Sequence, residues 1–313
     1  MKPDAHNSLV GKKVFVTGGT GLFGKWLIPS LCQLAELVVV LTRDCANAQK
    51  SFASGYYENL RFFHGDVRTF RFPDESFDYL IHAATPVSED SSALGEDELL
   101  SIIVEGTRRT LAFAKDTRIG KFLLVSSGAV YGPQPNDLKA IPESFPCSPV
   151  SPYGEGKLIS ENLCLNSGLD CVVARCFAFV GPYMPLNGQF AIANFIGDCL
   201  HHEAIRIKGD GQCLRSYMYS TDLVDWLLSL LLHSSKNEIY NVGSSVPVSI
   251  LDLAYLVRKT AARENLPVLI EKDGYESSCN YIPNNEKATR ELGLDLSIGL
   301  KKAILKTFES YTV

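Results

Sequence analysis

No stretch of the 313-residue sequence reaches the roughly 18 uninterrupted apolar residues that a membrane-spanning helix needs. Nine cysteines are present, but none forms a Cys-x-x-Cys pair and the six histidines do not cluster. Zinc-type spacing is therefore missing, and the odd, scattered cysteines do not suggest a disulfide framework. Neither sign of charge dominates: 30 Lys and Arg against 35 Asp and Glu leave a net charge of −5. That argues against a broad surface for nucleic acid or anionic lipid, although a local basic pocket can still bind phosphate. The N-terminal MKPDAHNSLVGKK carries no apolar core of signal-peptide length. The expectations are a cytoplasmic location, no membrane or nucleic-acid partner and no metal.

What is present is a large apolar share, 46% of residues, enough for one big domain or two joined ones. KKVFVTGG is a short β-branched run, followed by LFGKWLIPSLCQLA at helical spacing. LVVVLTR, LRFFHGDV, FDYLIHAAT, a long helical stretch from Glu96 to Lys115 and KFLLVSS come next. Strands that are apolar throughout, alternating with amphipathic helices, specify an α/β fold: a doubly wound parallel (Rossmann) sheet covered on both faces. Pro29 inside the first helix removes a backbone donor and predicts a bend. After Gly181 the chain turns to Pro-, Gly- and Asn-rich loops around short helices, which reads as a smaller, loop-rich C-terminal lobe. The expected division is a doubly wound domain over 1–179, rejoined by about 217–245, and a lobe from 180–216 and 246–313.

TGGTGLFG, from Thr17 to Gly24, lies where the first strand meets the first helix. Gly18 permits the tight turn, Gly21 admits a pyrophosphate to the backbone, and Gly24 lets the helix pack closely, with Thr20, Leu22 and Phe23 filling the turn. The second strand ends VVVLTRD, so Thr42 takes the place where a carboxylate would read a free ribose 2′-hydroxyl, and Arg43 follows. An arginine without a carboxylate suits a 2′-phosphate, so the reading is NAD(P)(H) with a lean to NADP(H). The alternative leaves Arg43 solvated and lets Asp44 reach the ribose. Asp66 and Val67 at the end of the third strand are placed for the adenine edge, and His82, Ala83 and Ala84 end the fourth strand beside the pyrophosphate.

In SPYGEGKLISE, Tyr153 and Lys157 lie at i and i+4, so an ammonium can stand near a phenol and favour the phenolate. The preceding strand ends in Ser126 and Ser127.

With these motifs the sequence resembles the extended short-chain dehydrogenase/reductases, the NAD-dependent epimerase/dehydratases that act on nucleotide sugars. TGGTGLFG, HAAT, SSGAVYG, YGEGK, RCFAFVGP and KGDGQCLRSYMYSTDL each look like a family segment. The resemblance implies a dinucleotide-binding first domain and a substrate-binding C-terminal lobe that takes the nucleotide sugar, with Tyr153 as base, Ser127 as the hydroxyl that contacts the sugar, Lys157 on the cofactor ribose, Tyr131 as a structural residue, and Arg215 on the substrate diphosphate. In 4,6-dehydratases and uronate decarboxylases a Glu stands where this chain has Ala129, and in dehydratases an Asp precedes it, here Gly128. The fucose-synthase branch has a cysteine at that place. Elimination and C3/C5 epimerisation therefore lack their acid and base, leaving hydride transfer at sugar C4, as a 4-epimerase or as an NADPH-dependent 4-ketosugar reductase.

The chain also departs from the family at Ile103 and Ala178, where Asn is common, with Asn194 and Lys208 as substitute phosphate contacts beside Arg215. A non-catalytic dinucleotide sensor stays as a further class. Helices 96–115 and 153–166 resemble the pair that forms a four-helix homodimer interface, with Leu99, Ile102, Ile103, Leu158 and Leu163 in apolar excess.

Overall fold

The computed structural model describes residues 8–55, 57–86, 94–271 and 279–312. In chain order they form β1 (Lys13–Thr17), α1 (Leu22–Leu34), β2 (Leu37–Thr42), α2 (Cys45–Ser51), β3 (Leu60–His64), β4 (Tyr79–His82), α3 (Glu96–Asp116) and β5 (Lys121–Ser127). A 3-10 turn (Gly128–Tyr131), α4 (Pro152–Leu165), β6 (Cys171–Cys176), β7 (Phe179–Val180), α5 (Ala191–Leu200), β8 (Ile205–Lys208), β9 (Leu214–Arg215) and β10 (Met218–Tyr219) follow. The chain ends with α6 (Ser220–His233), β11 (Glu238–Val242), β12 (Val248–Ser249), α7 (Ile250–Thr260), β13 (Val268–Glu271), α8 (Glu286–Leu292) and α9 (Leu300–Glu309).

Seven strands make one sheet in the order β11-β6-β5-β4-β1-β2-β3, and the neighbours from β6 to β3 all pair in parallel. Every residue of β2, β5 and β6 is buried, as strands covered on both faces require. On one face Phe15 of β1 meets Phe113 of α3 with ring centroids 4.8 Å apart and Phe77 at 5.2 Å. α1 is helical through Pro29. The chain runs outward from β1 to β3 and returns to β4 on the other side of β1. That reversal opens a crevice at the carboxyl ends of β1 and β4, where such sheets bind ligands.

The described residues of Met1–Val130, Pro149–Cys176 and Val224–Tyr240 make one compact unit, and those of Tyr131–Ser148, Phe177–Leu223 and Asn241–Val313 make a second. Residues 131–148, which the sequence reading left in the first domain, fall in the second unit. There Tyr131 donates its hydroxyl to Asn241 Oδ1 at 2.8 Å, and the Asn241 N–H donates to Glu143 at 2.9 Å. The second unit carries three two-stranded sheets, β7 with β10, β8 with β13 and β9 with β12.

Against the expectation of unpaired thiols, Cys213 and Cys279 form a disulfide. The physical reason is tertiary. Tyr281 N–H donates to the Leu214 carbonyl at 3.1 Å and Leu214 N–H to Asn280 Oδ1 at 3.0 Å, which brings together cysteines 66 positions apart. Among the described residues no helix is long and apolar enough to cross a membrane, and no group of three or more His, Cys, Asp or Glu is arranged to hold a metal ion.

Candidate active site

The glycine turn fills the crevice between β1 and β4. Gly18 has φ +73°, and a Cβ there would lie 2.5 Å from the backbone of Ala83 and Ala84. A Cβ at Gly24 would lie 1.9 Å from the Gly19 carbonyl oxygen, so α1 starts directly against the turn. The N-cap of α1 is Gly21, exposed and without a side-chain cap, and no acidic residue stands in the first turn. The first-turn N–H groups of Leu22 and Phe23 thus face outward with the positive end of the helix, a fit for the diphosphate of a dinucleotide.

The adenosine side is arranged by short-range contacts. Thr42 Oγ1 accepts the Asp44 N–H at 3.2 Å, and Asp44 Oδ1 accepts the Asn47 N–H at 2.9 Å, capping α2. Arg43 is exposed. Asp66 accepts from the backbone and side chain of Arg68 at 2.9 and 3.2 Å. Burial alone would raise its pKa, but these bonds and the charges of Arg68 and Arg43 hold it below the usual carboxylate value. Val67 abuts α3, where a Cβ on Gly106 would lie 2.9 Å from its Cγ1.

Ser127, Tyr153 and Lys157 are brought together at the end of β5 and the start of α4. Ser151 caps α4 by accepting the Gly154 N–H, Pro152 opens the helix, and Gly154 allows the Ala129 carbonyl to lie where a Cβ would be 2.7 Å away. Ser127 hydrogen-bonds Tyr153. The Lys157 ammonium lies 5.9 Å from the Tyr153 ring centroid and donates to Thr85 Oγ1 at 2.6 Å and the Val125 carbonyl at 2.8 Å. Burial lowers the Lys157 pKa to about 8, so it is charged at neutral pH. Burial raises the Tyr153 phenol pKa and outweighs the opposing Ser127 bond. Cys176, paired with Ser127 across β5 and β6, is buried beside both groups, and burial pushes its thiol up to about 12.

Behind these residues lie two buried polar clusters that sequence reasoning missed. Glu161, one turn beyond Lys157, accepts from Ser126 Oγ at 2.5 Å and from Arg175 at 2.7 Å and 3.1 Å. Glu161 and Arg175 are 1% and 5% exposed, and they tie α4 to β5 and β6 one residue from Ser127 and Cys176. The spacing of Tyr153, Lys157 and Glu161 at four-residue steps was the available signal. The second cluster centres on His82. Thr107 spends its hydroxyl proton on the Ile103 carbonyl at 2.7 Å, so it accepts from His82 Nε2 at 3.0 Å and from Ser160 at 2.9 Å. Thr17 therefore donates to His82 Nδ1 at 2.7 Å. His82 is a neutral imidazole, its pKa lowered to about 3 by burial and by the Lys157 charge.

The remaining candidates lie in the second unit. Asn194 on α5 donates to the Gly188 carbonyl at 2.9 Å, while its Oδ1 is buried without a partner. Lys208 ends β8 and is exposed. Arg215 in β9 donates from Nη1 to the carbonyls of Leu214 and Cys279. Ile103, expected in apolar excess on α3, is instead buried against Gly156 of α4.

The sequence profile of the NAD dependent epimerase/dehydratase family matches residues 14–243. The chain belongs to this family. Among its relatives, the human dTDP-D-glucose 4,6-dehydratase is 27% identical over 96% of this chain and 90% of that protein. UDP-glucuronic acid decarboxylase 1 of Danio rerio is 28% identical over 96% of this chain and 73% of that protein. The crystal structure of the dTDP-glucose 4,6-dehydratase DesIV of Streptomyces venezuelae, which holds NAD, superposes with a TM-score of 0.83 at 25% identity, covering 96% of this chain and 97% of that one. This is an NAD-dependent family of nucleotide-sugar-modifying enzymes, and its members include dehydratases, decarboxylases and epimerases.

Proposed function

We propose that this protein is a nucleotide-sugar enzyme that moves a hydride at sugar C4, of the 4-epimerase type. The observation that carries the reading is the turn after β5. It begins Gly128-Ala129, with the Ala129 N–H donating to Ser127 Oγ at 3.2 Å, so the segment beside Ser127 and Tyr153 offers no carboxyl group. Elimination across C5 and C6 needs an acid and a base at that face of the sugar. Glu161 cannot serve, because it lies behind the site in its pair with Arg175.

In this reading Ser127 hydrogen-bonds the C4 oxygen and Tyr153 exchanges its proton. A bound nicotinamide supplies the hydride acceptor and donor. Lys157, charged and held by Thr85 and the Val125 carbonyl, offers its remaining N–H to the cofactor ribose and favours the phenolate once the site is occupied. At C4 Tyr153 would take the hydroxyl proton and give it back, while a nicotinamide held by the glycine turn and Lys157 would accept the hydride and supply it to the opposite face, inverting that carbon. Arg215, with Asn194 and Lys208, contacts the diphosphate of the substrate.

A second reading, reduction of a 4-ketosugar with NADPH, is favoured by the residues at the end of β2. The end of β2 presents Thr42 and Arg43, while one oxygen of Asp44 is spent on capping α2. The test is a panel of UDP-, dTDP-, CDP- and GDP-sugars, including 4-keto forms, with NAD or NADPH. Epimer formation without net change in nicotinamide absorbance supports the epimerase, and NADPH consumption by a 4-ketosugar supports the reductase. Loss of water from the sugar overturns both.

A further inference from the structure

Cys213 of the Cys213–Cys279 disulfide immediately precedes β9, two positions before Arg215. Arg215 Nη1 donates to the Leu214 carbonyl at 3.0 Å and to the Cys279 carbonyl. One nitrogen is thus spent on backbone oxygens, and it is the Nε–Nη2 edge of a guanidinium that pairs bidentately with phosphate. Residues 280–282 are tied to the same edge: Asn280 Oδ1 accepts from Leu214 N–H, Tyr281 N–H donates to the Leu214 carbonyl, and Ile282 N–H donates to Gln134 Oε1 at 2.9 Å. Cys279 lies just beyond the last of these bonds. Its carbonyl is fixed by the disulfide and by Arg215 itself.

We propose that Cys213 and Cys279 are a reversible thiol–disulfide site: the oxidised pair holds Arg215 oriented for a nucleoside diphosphate, and reduction weakens that binding. The proposal rests on reading the second unit as the nucleotide-sugar lobe. Both cysteines are half-buried, whereas Cys164, Cys171, Cys176 and Cys199 are buried. In the reduction a dithiol supplies two electrons and two protons. Its thiolate attacks one sulfur, the S–S bond breaks, the second thiol resolves the mixed disulfide, and the products are two cysteine thiols and the oxidised dithiol. Exchange with a small disulfide reverses it.

The test uses the full chain saturated with NAD, in oxidised form and after treatment with dithiothreitol, with the state of each cysteine read by differential alkylation and mass spectrometry. Titration with UDP and dTDP is expected to give about three- to tenfold weaker binding in the reduced form, the loss of one well-oriented charged contact. The Cys213→Ser/Cys279→Ser protein is expected to match the reduced form and to ignore reductant. Hydrogen exchange at the Tyr281 amide, which needs no ligand, is expected to quicken on reduction. Equal exchange and equal affinity in both forms, or two free thiols after oxidation, overturn the switch. Faster exchange with no binding of UDP or dTDP by either form overturns the nucleotide-sugar reading of the lobe and supports the switch.

Discussion

His82 carries a stability cost that acid should expose. The imidazole is 2% exposed and both nitrogens are engaged, Nδ1 accepting from Thr17 and Nε2 donating to Thr107. Its folded pKa is depressed from 6.5 to about 3. Above pH 6.5 the ring is neutral in both the folded and the unfolded chain and contributes no pH dependence. As pH falls below that value the unfolded chain takes up the proton and the folded one does not, so native stability drops with falling pH until the folded ring also titrates. At pH 5, 1.5 units below the unfolded pKa, the loss is about 2 kcal/mol relative to pH 8.

His82→Gln supplies an acceptor and a donor without a titrating group. Urea denaturation of both proteins at pH 8, 6.5 and 5 isolates the effect, because the other titrating groups cancel in the difference. The expected outcome is a wild-type stability that falls relative to the variant by about 2 kcal/mol between pH 8 and 5. Parallel pH profiles for the two proteins would refute the assignment of a neutral, fully desolvated imidazole.

Glu161→Ala takes the carboxylate away from the buried Arg175 charge and should cost about 3–5 kcal/mol in denaturant unfolding; a loss below about 1 kcal/mol would mean that water reaches the pair. Tyr153→Phe keeps the ring and removes the proton, so turnover should fall about 10²–10⁴-fold while NAD binding, measured by titration, stays unchanged; a variant with a tenth of the wild-type rate would count against Tyr153 as the proton shuttle. The half-exposed Leu99, Ile102 and Leu158 on α3 and α4 are expected to pair two copies of the chain, and light scattering that reports a monomer at micromolar concentration would remove that expectation.

Much of the first unit was legible because its signals are local. A glycine turn between a β-branched run and an amphipathic helix has one geometric solution, and the apolar runs within β2, β5 and β6 advertise double-sided burial. The features that escaped depend on residues far apart in sequence. Residues 131–148 join the second unit through Tyr131, Glu143 and Asn241, a contact made across about a hundred positions. The Cys213–Cys279 pair follows from the β9 edge meeting residues 280–281, and no spacing rule marks it. The burial that raises the Tyr153 phenol pKa is a tertiary quantity, which the Tyr–Lys spacing does not show. Ile103 read as surplus because α3 gave no sign that Gly156 would open a groove to receive it.

The most direct test of the central claim follows one hydrogen. NDP-hexoses carrying deuterium at C4 are incubated with the protein and NAD, and the products are analysed by mass spectrometry and NMR. Hydride transfer confined to C4 predicts a C4-epimeric product that keeps its deuterium at C4 and keeps all its oxygens. A 4-keto-6-deoxysugar with the deuterium moved to C6 would show that another residue supplies the acid that Ala129 lacks, and would contradict the account.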